Sequence, residues 1–224
     1  MILKRASKKA NRFAIMNFHY SKKIPSISIS YSVFNDKNEW CGVICYGLGA
    51  IPSIGSPYNL GQGEIMELVR VALNGKQEST SKAIAISLKL IKKDCPMTKL
   101  IVSYSDTGQN HIGIIYQATN WYCVGQLKSS GIEYWYKGRW THAKTISDVV
   151  KKRGLKRNTL KQKKSSGKIK YLYPLNKQIR KQIEQISKPY PKNICLVGEK
   201  KSQSAIQQEV RGVIPTTRLQ LNVN

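Results

Sequence analysis

The stretch KLIVSYSDTGQNHIGIIYQATNWY, residues 99–122, decides the fold that we expect of this chain. Its first part, Lys99 to Tyr104, is an apolar run rich in β-branched residues, which predicts a short buried strand. Its second part, His111 to Asn120, repeats apolar residues at helical spacing and predicts a helix. Asp106 follows the strand, at the end where open α/β sheets hold their ligands. We therefore expect Asp106, and Tyr116 on the following helix, to face one cleft.

The segments on either side of this stretch predict a mixed α/β sheet flanked by helices. The patterns predict a helix capped by Ser79 that runs to about Lys93, and a short helix at 147–153. We expect one domain over residues 13–188, preceded by a basic arm (1–12) and followed by a flexible tail without periodicity (189–224). The predicted strands are Phe13–Phe18, a hairpin within 26–46, Ile65–Leu73, Tyr122–Gln126 and Ile132–Trp140.

Charge is the strongest feature of the composition. The chain has 38 Lys and Arg against 12 Asp and Glu, a net charge of +26, which favours a polyanionic partner. No long basic amphipathic helix points to an anionic membrane, so nucleic acid is the expected partner. The densest basic run, residues 151–170, is expected to contact phosphates through Lys151, Lys152, Arg153, Lys156, Arg157, Lys161, Lys163, Lys164, Lys168 and Lys170.

Four polar side chains are candidates for chemistry. His19, Tyr20, Asp106 and Tyr116 offer an imidazole, a carboxylate and two phenols, a set suited to acid–base chemistry or to a hard metal ion. Taken singly, each also has a structural explanation, as a satisfied histidine, a turn cap or a core aromatic. The small residues Ser79, Ser81 and Ala83, at a helix amino end, suit a pyrophosphate or an ordinary helix cap.

Five stretches resemble the Mom family of phage DNA-modification proteins. They are FHYSKKIP (18–25), WCGVICYGLG (40–49), ELVRVALN (67–74), IVSYSDTGQNHIGIIYQATNWYCVG (101–125) and PYPK (189–192). That family is similar in fold to the GNAT acyltransferases and installs a methylcarbamoyl group on the N6 amine of adenine in double-stranded DNA, which blocks restriction enzymes. The resemblance implies that His19, Tyr20, Asp106 and Tyr116 form the catalytic cluster around iron. It also implies acetyl-CoA as carbon donor, with Ser79, Thr80, Ser81 and Ala83 in the place of the GNAT pyrophosphate loop.

Two other functions stay open at this point. One is an ordinary GNAT N-acetyltransferase acting on a basic protein or a small amine, and the other is a non-catalytic DNA-binding module. Five scattered cysteines and the lack of a membrane-length apolar segment favour a reducing cytoplasm, which would be that of the bacterial host. We expect double-stranded DNA as partner, no membrane, and no obligate protein partner.

Overall fold

A computed structural model describes residues 1–49, 51–109, 111–127, 131–154 and 156–192. Met1–Pro191 forms one compact unit. From residue 193 onward, the predicted flexible tail lies outside the described residues. In the described part of the chain, no helix is long and apolar enough to cross a membrane.

The described residues of this unit form two sheets and five α-helices. Seven strands form the main sheet in the order β1-β2-β3-β4-β5-β10-β6, and three form a small sheet in the order β8-β7-β9. The strands are β1 (Ile2–Arg5), β2 (Ile29–Phe34), β3 (Trp40–Gly47), β4 (Ile65–Leu73), β5 (Leu100–Asp106), β6 (Tyr122–Leu127), β7 (Ile132–Tyr136), β8 (Arg139–His142), β9 (Gln162–Lys164) and β10 (Lys168–Pro174). The helices are α1 (Lys8–Phe18), α2 (Thr80–Asp94), α3 (Ile114–Gln117), α4 (Ala143–Arg153) and α5 (Lys177–Ile186).

The main sheet splits between β4 and β5. These two strands run parallel and pair over only three positions, the last of which is Glu67 opposite Val102. Beyond that point β4 continues to Leu73 against β3, whereas β5 continues to Asp106 against β10. A wedge-shaped opening between the two strands results, at the carboxyl end of both.

Helices cover both faces of the main sheet because alternate strand residues point to opposite sides. On one face, α2 buries Ile84, Leu88 and Ile91 against a cluster that includes Ile44. On the other face, α1 packs Ala14 and Ile15 against Val43 and Cys45, and α5 packs Ile179 and Ile183 against Leu100 and Leu172. The prediction of a mixed sheet flanked by helices is confirmed.

The first predicted strand, Phe13–Phe18, is wrong, because these residues belong to helix α1. Ser7 caps this helix by accepting a hydrogen bond from the backbone N–H of Ala10 at 3.1 Å. The inward residues Asn11, Ala14 and Ile15 follow helical spacing, which a six-residue apolar window does not reveal. Residues 1–12, predicted as a basic arm, form β1 and the first turns of this helix.

Two further predictions are corrected by backbone turns. The helix predicted over 111–120 is reduced to Ile114–Gln117, because Gly113 adopts a left-handed conformation immediately before it. The single strand predicted over 132–140 is a hairpin, because Lys137 and Gly138 both have positive φ and reverse the chain. The other predicted strands and the helix capped by Ser79 are present, whereas β10 and α5 were not predicted.

Gly113 allows a prediction about stability. We expect Gly113→Ala to destabilise the protein by about 1–3 kcal/mol more than Gly75→Ala does, measured by urea unfolding. Both glycines have left-handed backbone, with φ of +83° and +84°, so both variants carry the same conformational cost of about 1–2 kcal/mol. A Cβ at Gly75 meets no atom within 4 Å, whereas one at Gly113 overlaps the buried ring of Tyr171. Equal losses of unfolding free energy in the two variants would show that the Tyr171 ring moves aside without a measurable cost.

Candidate functional site

A cavity of about 530 Å³ lies at the split between β4 and β5. Its walls come from the end of α1, from both diverging strands, from the segment 111–116, and from the loop that leads into α2. All four candidate residues for chemistry line it. The titratable and polar residues of the wall include His19, Tyr20, Glu67, Arg70, Gln77, Thr80, Tyr104, Asp106, His111, Tyr116 and Lys168.

His19 stands at the carboxyl end of α1 and is neutral at neutral pH. Burial, and then the nearby charges of Arg70 and His111, lower the pKa of His19 to about 4. Its Nδ1 accepts a hydrogen bond from the backbone N–H of Ser21 at 3.1 Å. Because a backbone N–H can only donate, the ring proton of the neutral His19 is on Nε2.

Tyr20 links the histidines to the carboxylate of Asp106. Its ring stacks on His19 with 4.4 Å between centroids, and it meets His111 edge-on at 6.1 Å. Burial, and then the Asp106 carboxylate, raise the pKa of Tyr20. The phenol is therefore protonated at neutral pH and can donate a hydrogen bond.

Asp106 is the last residue of β5 and faces the start of β10. Its Oδ1 accepts hydrogen bonds from the backbone N–H of Gly108 at 2.9 Å and from Ser166 Oγ at 3.1 Å. In the strand register, Asp106 lies opposite Lys168. The carboxylate is thus held in place by two neutral donors, at the rim of the cavity.

Tyr116 lies deeper than the other three candidates and is 7% exposed. Its ring packs against Trp121 and Tyr171, with centroid distances of 5.1 and 4.9 Å. Its hydroxyl shares a 2.8 Å hydrogen bond with Ser103 Oγ, which is also 3.0 Å from the carbonyl oxygen of Leu68 on β4. Burial raises the pKa of Tyr116 to about 12. Tyr116 therefore forms the floor of the split and presents a protonated hydroxyl.

Two charged residues of β4, Glu67 and Arg70, also line the cavity and were not among the candidates. In a regular strand, residues three apart point to opposite faces. Here the register with β3 slips at Val69, which gives β4 one extra residue and brings Glu67 and Arg70 to the same side. The Arg70 guanidinium donates to the carbonyl oxygens of Lys23 and Val69.

Of the four residues predicted to bind a cofactor, one lines the cavity and three do not. Thr80 lines the cavity, whereas Ala83 is fully buried in the core. Ser79 is an ordinary helix cap, whose Oγ accepts from the backbone N–H of Lys82 at 3.2 Å and lies 2.9 Å from Ser81 Oγ. The helix amino end therefore borders the cavity through Thr80 and the preceding loop at Gly75 and Gln77.

Iron, which the resemblance implies, gains no support from a cluster of the usual metal ligands. Among the residues that the structure describes, no three His, Cys, Asp or Glu side chains lie close enough together to hold a metal ion. The predicted set contains only two side chains of these types, His19 and Asp106, and it stays a prediction. Burial raises the pKa of Tyr20 and of Tyr116, so without a metal both phenols are protonated at neutral pH.

The predicted DNA-contacting residues lie on α4, β9, β10 and the turns between them. Nine of the ten side chains are exposed. Lys170 is the exception, because it is partly buried with its Nζ 5.0 Å from the centre of the Tyr58 ring, and burial lowers the pKa of Lys170. Lys168 also lines the cavity, so the basic surface reaches its rim.

The chain matches the Mom protein family over residues 1–192. It is 29% identical over 195 residues to the methylcarbamoylase Mom of Escherichia phage Mu, which covers 81% of this chain and 79% of the phage protein. A solved structure of Arabidopsis thaliana NAA60 with a bisubstrate analogue is similar at a TM-score of 0.51, with 11% identity over 78% of this chain and 98% of that one. A mutant of the spermidine N-acetyltransferase SpeG from Vibrio cholerae has a TM-score of 0.48, with 9% identity over 78% and 95% of the two chains. The predicted GNAT-like fold is confirmed.

Proposed function

Since the chain belongs to the Mom protein family, we propose that it converts the N6 amine of adenine in duplex DNA to a methylcarbamoyl form. The modified base would protect phage DNA from restriction enzymes. The observation that carries this proposal is the cavity at the β4–β5 split, which collects His19, Tyr20, Asp106 and Tyr116. Its volume, about 530 Å³, lies within the range of small-molecule sites and suits a single base together with the end of a donor.

In a duplex the N6 amine is paired with thymine and its base is held in the stack, so the adenine has to leave the stack to enter the cavity. Extrusion of a base costs a few kcal/mol, which contacts to the DNA backbone have to offset. We expect the exposed basic residues of 151–168 to supply such contacts. Lys168 joins the two regions, since it is exposed and also lines the cavity.

The chemical difficulty is that the amine lone pair is delocalised into the purine ring. Such an amine needs its proton removed as the new bond forms, and a carboxylate at the rim is suited to accept it. We assign this role to Asp106, which two neutral donors hold in place. The Nε2 proton of His19 and the Tyr20 hydroxyl can then donate to negative charge that develops on the transferred group.

The donor is proposed to be acetyl-CoA, and the wall of the cavity suits it in part. Such a donor would enter along the split and lay its pyrophosphate at the amino end of α2, where the helix dipole favours negative charge. The space beside Gly75 is open, because a Cβ there meets no atom within 4 Å. Thr80 and Gln77 border this space, while Ser79 caps the helix and Ala83 is in the core. When bound, acetyl-CoA would supply the carbon unit, with the CoA thiol as its leaving group. Acetyl-CoA carries no amide nitrogen, so the nitrogen of the methylcarbamoyl group would have to come from a second reactant that supplies an amine.

Mass spectrometry of nucleosides tests this function. DNA from cells that express the chain should contain a deoxyadenosine adduct heavier than N6-methyldeoxyadenosine, and DNA from cells carrying the empty vector should lack it. Normal nucleosides alone, with the protein folded, would contradict the proposal. Acetylated polyamines or proteins in place of a DNA adduct would instead support an ordinary N-acetyltransferase, which the fold also permits.

A further inference from the structure

The small sheet presents two tryptophans on its outer face. Trp135 on β7 and Trp140 on β8 are register partners, with ring centroids 5.3 Å apart and an edge-to-face angle of 66°. They are 42% and 39% exposed, which is unusual for the largest apolar side chains. The neighbouring Tyr134 points to the other face and is buried, as is Ile146 of α4. The fold thus buries one side of this sheet and leaves the tryptophan side open.

A lysine contacts this pair, and the surrounding sequence is strongly basic. Lys163 of β9 holds its Nζ 4.5 Å from the centre of the Trp140 ring, and the same group is 3.6 Å from Glu133. In the sequence from 131 to 170, Glu133 and Asp148 are the only acidic residues. Further exposed cations of this part of the chain are Lys151 and Lys152 of α4, and Lys156, Lys161 and Lys164. An aromatic pair set among lysines suits a partner that combines flat rings with phosphates, which is a nucleic acid.

A short connection ties this surface to the cavity. Two residues between β9 and β10 form hydrogen bonds, one toward the small sheet and one toward the cavity. The Ser165 N–H donates to the Gly131 carbonyl, just before β7, at 2.9 Å, and Ser166 Oγ donates to Asp106 at the cavity rim at 3.1 Å. Lys163 is three residues from Ser166, so the Cα atoms of these two residues lie at most about 11 Å apart. A duplex of ten base pairs is about 34 Å long. One duplex is therefore long enough to contact both β9 and the rim of the cavity.

We infer that Trp135 and Trp140 bind the duplex beside the target adenine and stack on bases that lose a neighbour when the adenine leaves. This inference rests on the proposed function, and it names the surface that binds the DNA substrate during extrusion. Stacking suits this task because every base has a π-face, so the contact needs no particular flanking sequence. The lysines around the pair contact the phosphates on either side.

Binding to two 30-base-pair duplexes tests the inference, one intact and one with a single abasic site that leaves neighbouring bases unstacked. We expect the wild-type protein to prefer the abasic duplex by roughly tenfold, within the range that stacking on one base supplies. Trp135→Ala/Trp140→Ala should remove this preference, and Trp135→Phe/Trp140→Phe should keep most of it. Met97→Ala is the matched control, because Met97 is also an exposed apolar residue. It precedes the first residue of β5, whereas Asp106 is the last residue of that strand.

A second measurement needs no variant and covers the case in which the alanine variant does not fold. Of the four tryptophans, Trp121 is fully buried and Trp40 partly so, which leaves Trp135 and Trp140 as the main targets of acrylamide quenching. Duplex DNA should protect the wild-type fluorescence from this quencher at least twofold.

Three results would overturn the inference. The first is no preference for the abasic duplex in the wild type, and the second is an unchanged preference in the alanine variant. The third is a protein dimer in sedimentation that the alanine variant abolishes while DNA gives no protection, since the pair would then bind a second copy of the chain. These measurements report binding alone, so they stand even if no DNA adduct is found and the proposed function fails.

Discussion

The Asp106→Asn variant should lose at least 100-fold of its rate of DNA modification while its melting temperature stays within about 4 °C of wild type. The rate loss follows from removal of the carboxylate that accepts the amine proton, a role that contributes typically 10²–10⁴-fold. The small thermal effect follows from geometry. The amide oxygen of an asparagine can accept the same hydrogen bonds from Gly108 and Ser166, so no more than about 1 kcal/mol is lost.

Ser166→Ala is the matched control for Asp106→Asn, because it removes one hydrogen bond to the same carboxylate and leaves the charge. We expect this variant to keep its rate within about tenfold of wild type. Modification at the wild-type rate by Asp106→Asn would remove Asp106 from the chemistry. A large fall in its melting temperature would instead show that Asp106 serves mainly to cap the turn after β5.

Local pattern predicts that Asp106 and Tyr116 face one cleft, and the resemblance adds His19 and Tyr20; all four line the cavity. Asp106 follows an apolar β-branched run, so its position at a strand end could be predicted from local pattern alone. The pairing of β5 with its neighbours could not, because β10 comes more than 60 residues later and lies within a run of lysines. The residues Ile169, Tyr171 and Leu172 of β10 are buried only once the sheet is complete. The local sequence pattern therefore does not predict their burial.

The sequence was not sufficient to identify Glu67 and Arg70 as parts of the cavity wall. Two charges three residues apart in a strand are expected on opposite faces, which argues against a shared site. The slip of register at Val69 reverses this expectation, and it arises from the pairing of β4 with β3. A charged residue within an apolar strand was the signal available, and it indicated a polar environment without saying which face.

Replacement of four lysines should produce the largest change in DNA affinity. We expect the quadruple variant of Lys151, Lys152, Lys161 and Lys164 to glutamine to lower the slope of log affinity against log salt by up to about 3.6, since each lost phosphate contact contributes about 0.9. All four side chains are exposed in the part of the chain that borders the tryptophan pair. Fluorescence anisotropy with a labelled duplex, repeated over a series of salt concentrations, measures this slope.

Because the slope changes, the loss of DNA affinity in the lysine variant depends on the salt concentration. The ratio of wild-type to variant affinity should be about 150-fold larger at 0.05 M than at 0.2 M salt if all four lysines contact phosphates. The quadruple variant of Lys37, Lys89, Lys92 and Lys93 to glutamine is the matched control, because it removes the same charge from exposed positions on the β2–β3 turn and on α2. Equal effects of the two variants would mean that net charge alone attracts the DNA, whereas an unchanged slope in the first would place the DNA on another surface. A loss confined to the first variant would place the bound duplex on the part of the chain that carries these four lysines, which is α4 and β9 with the residue before it.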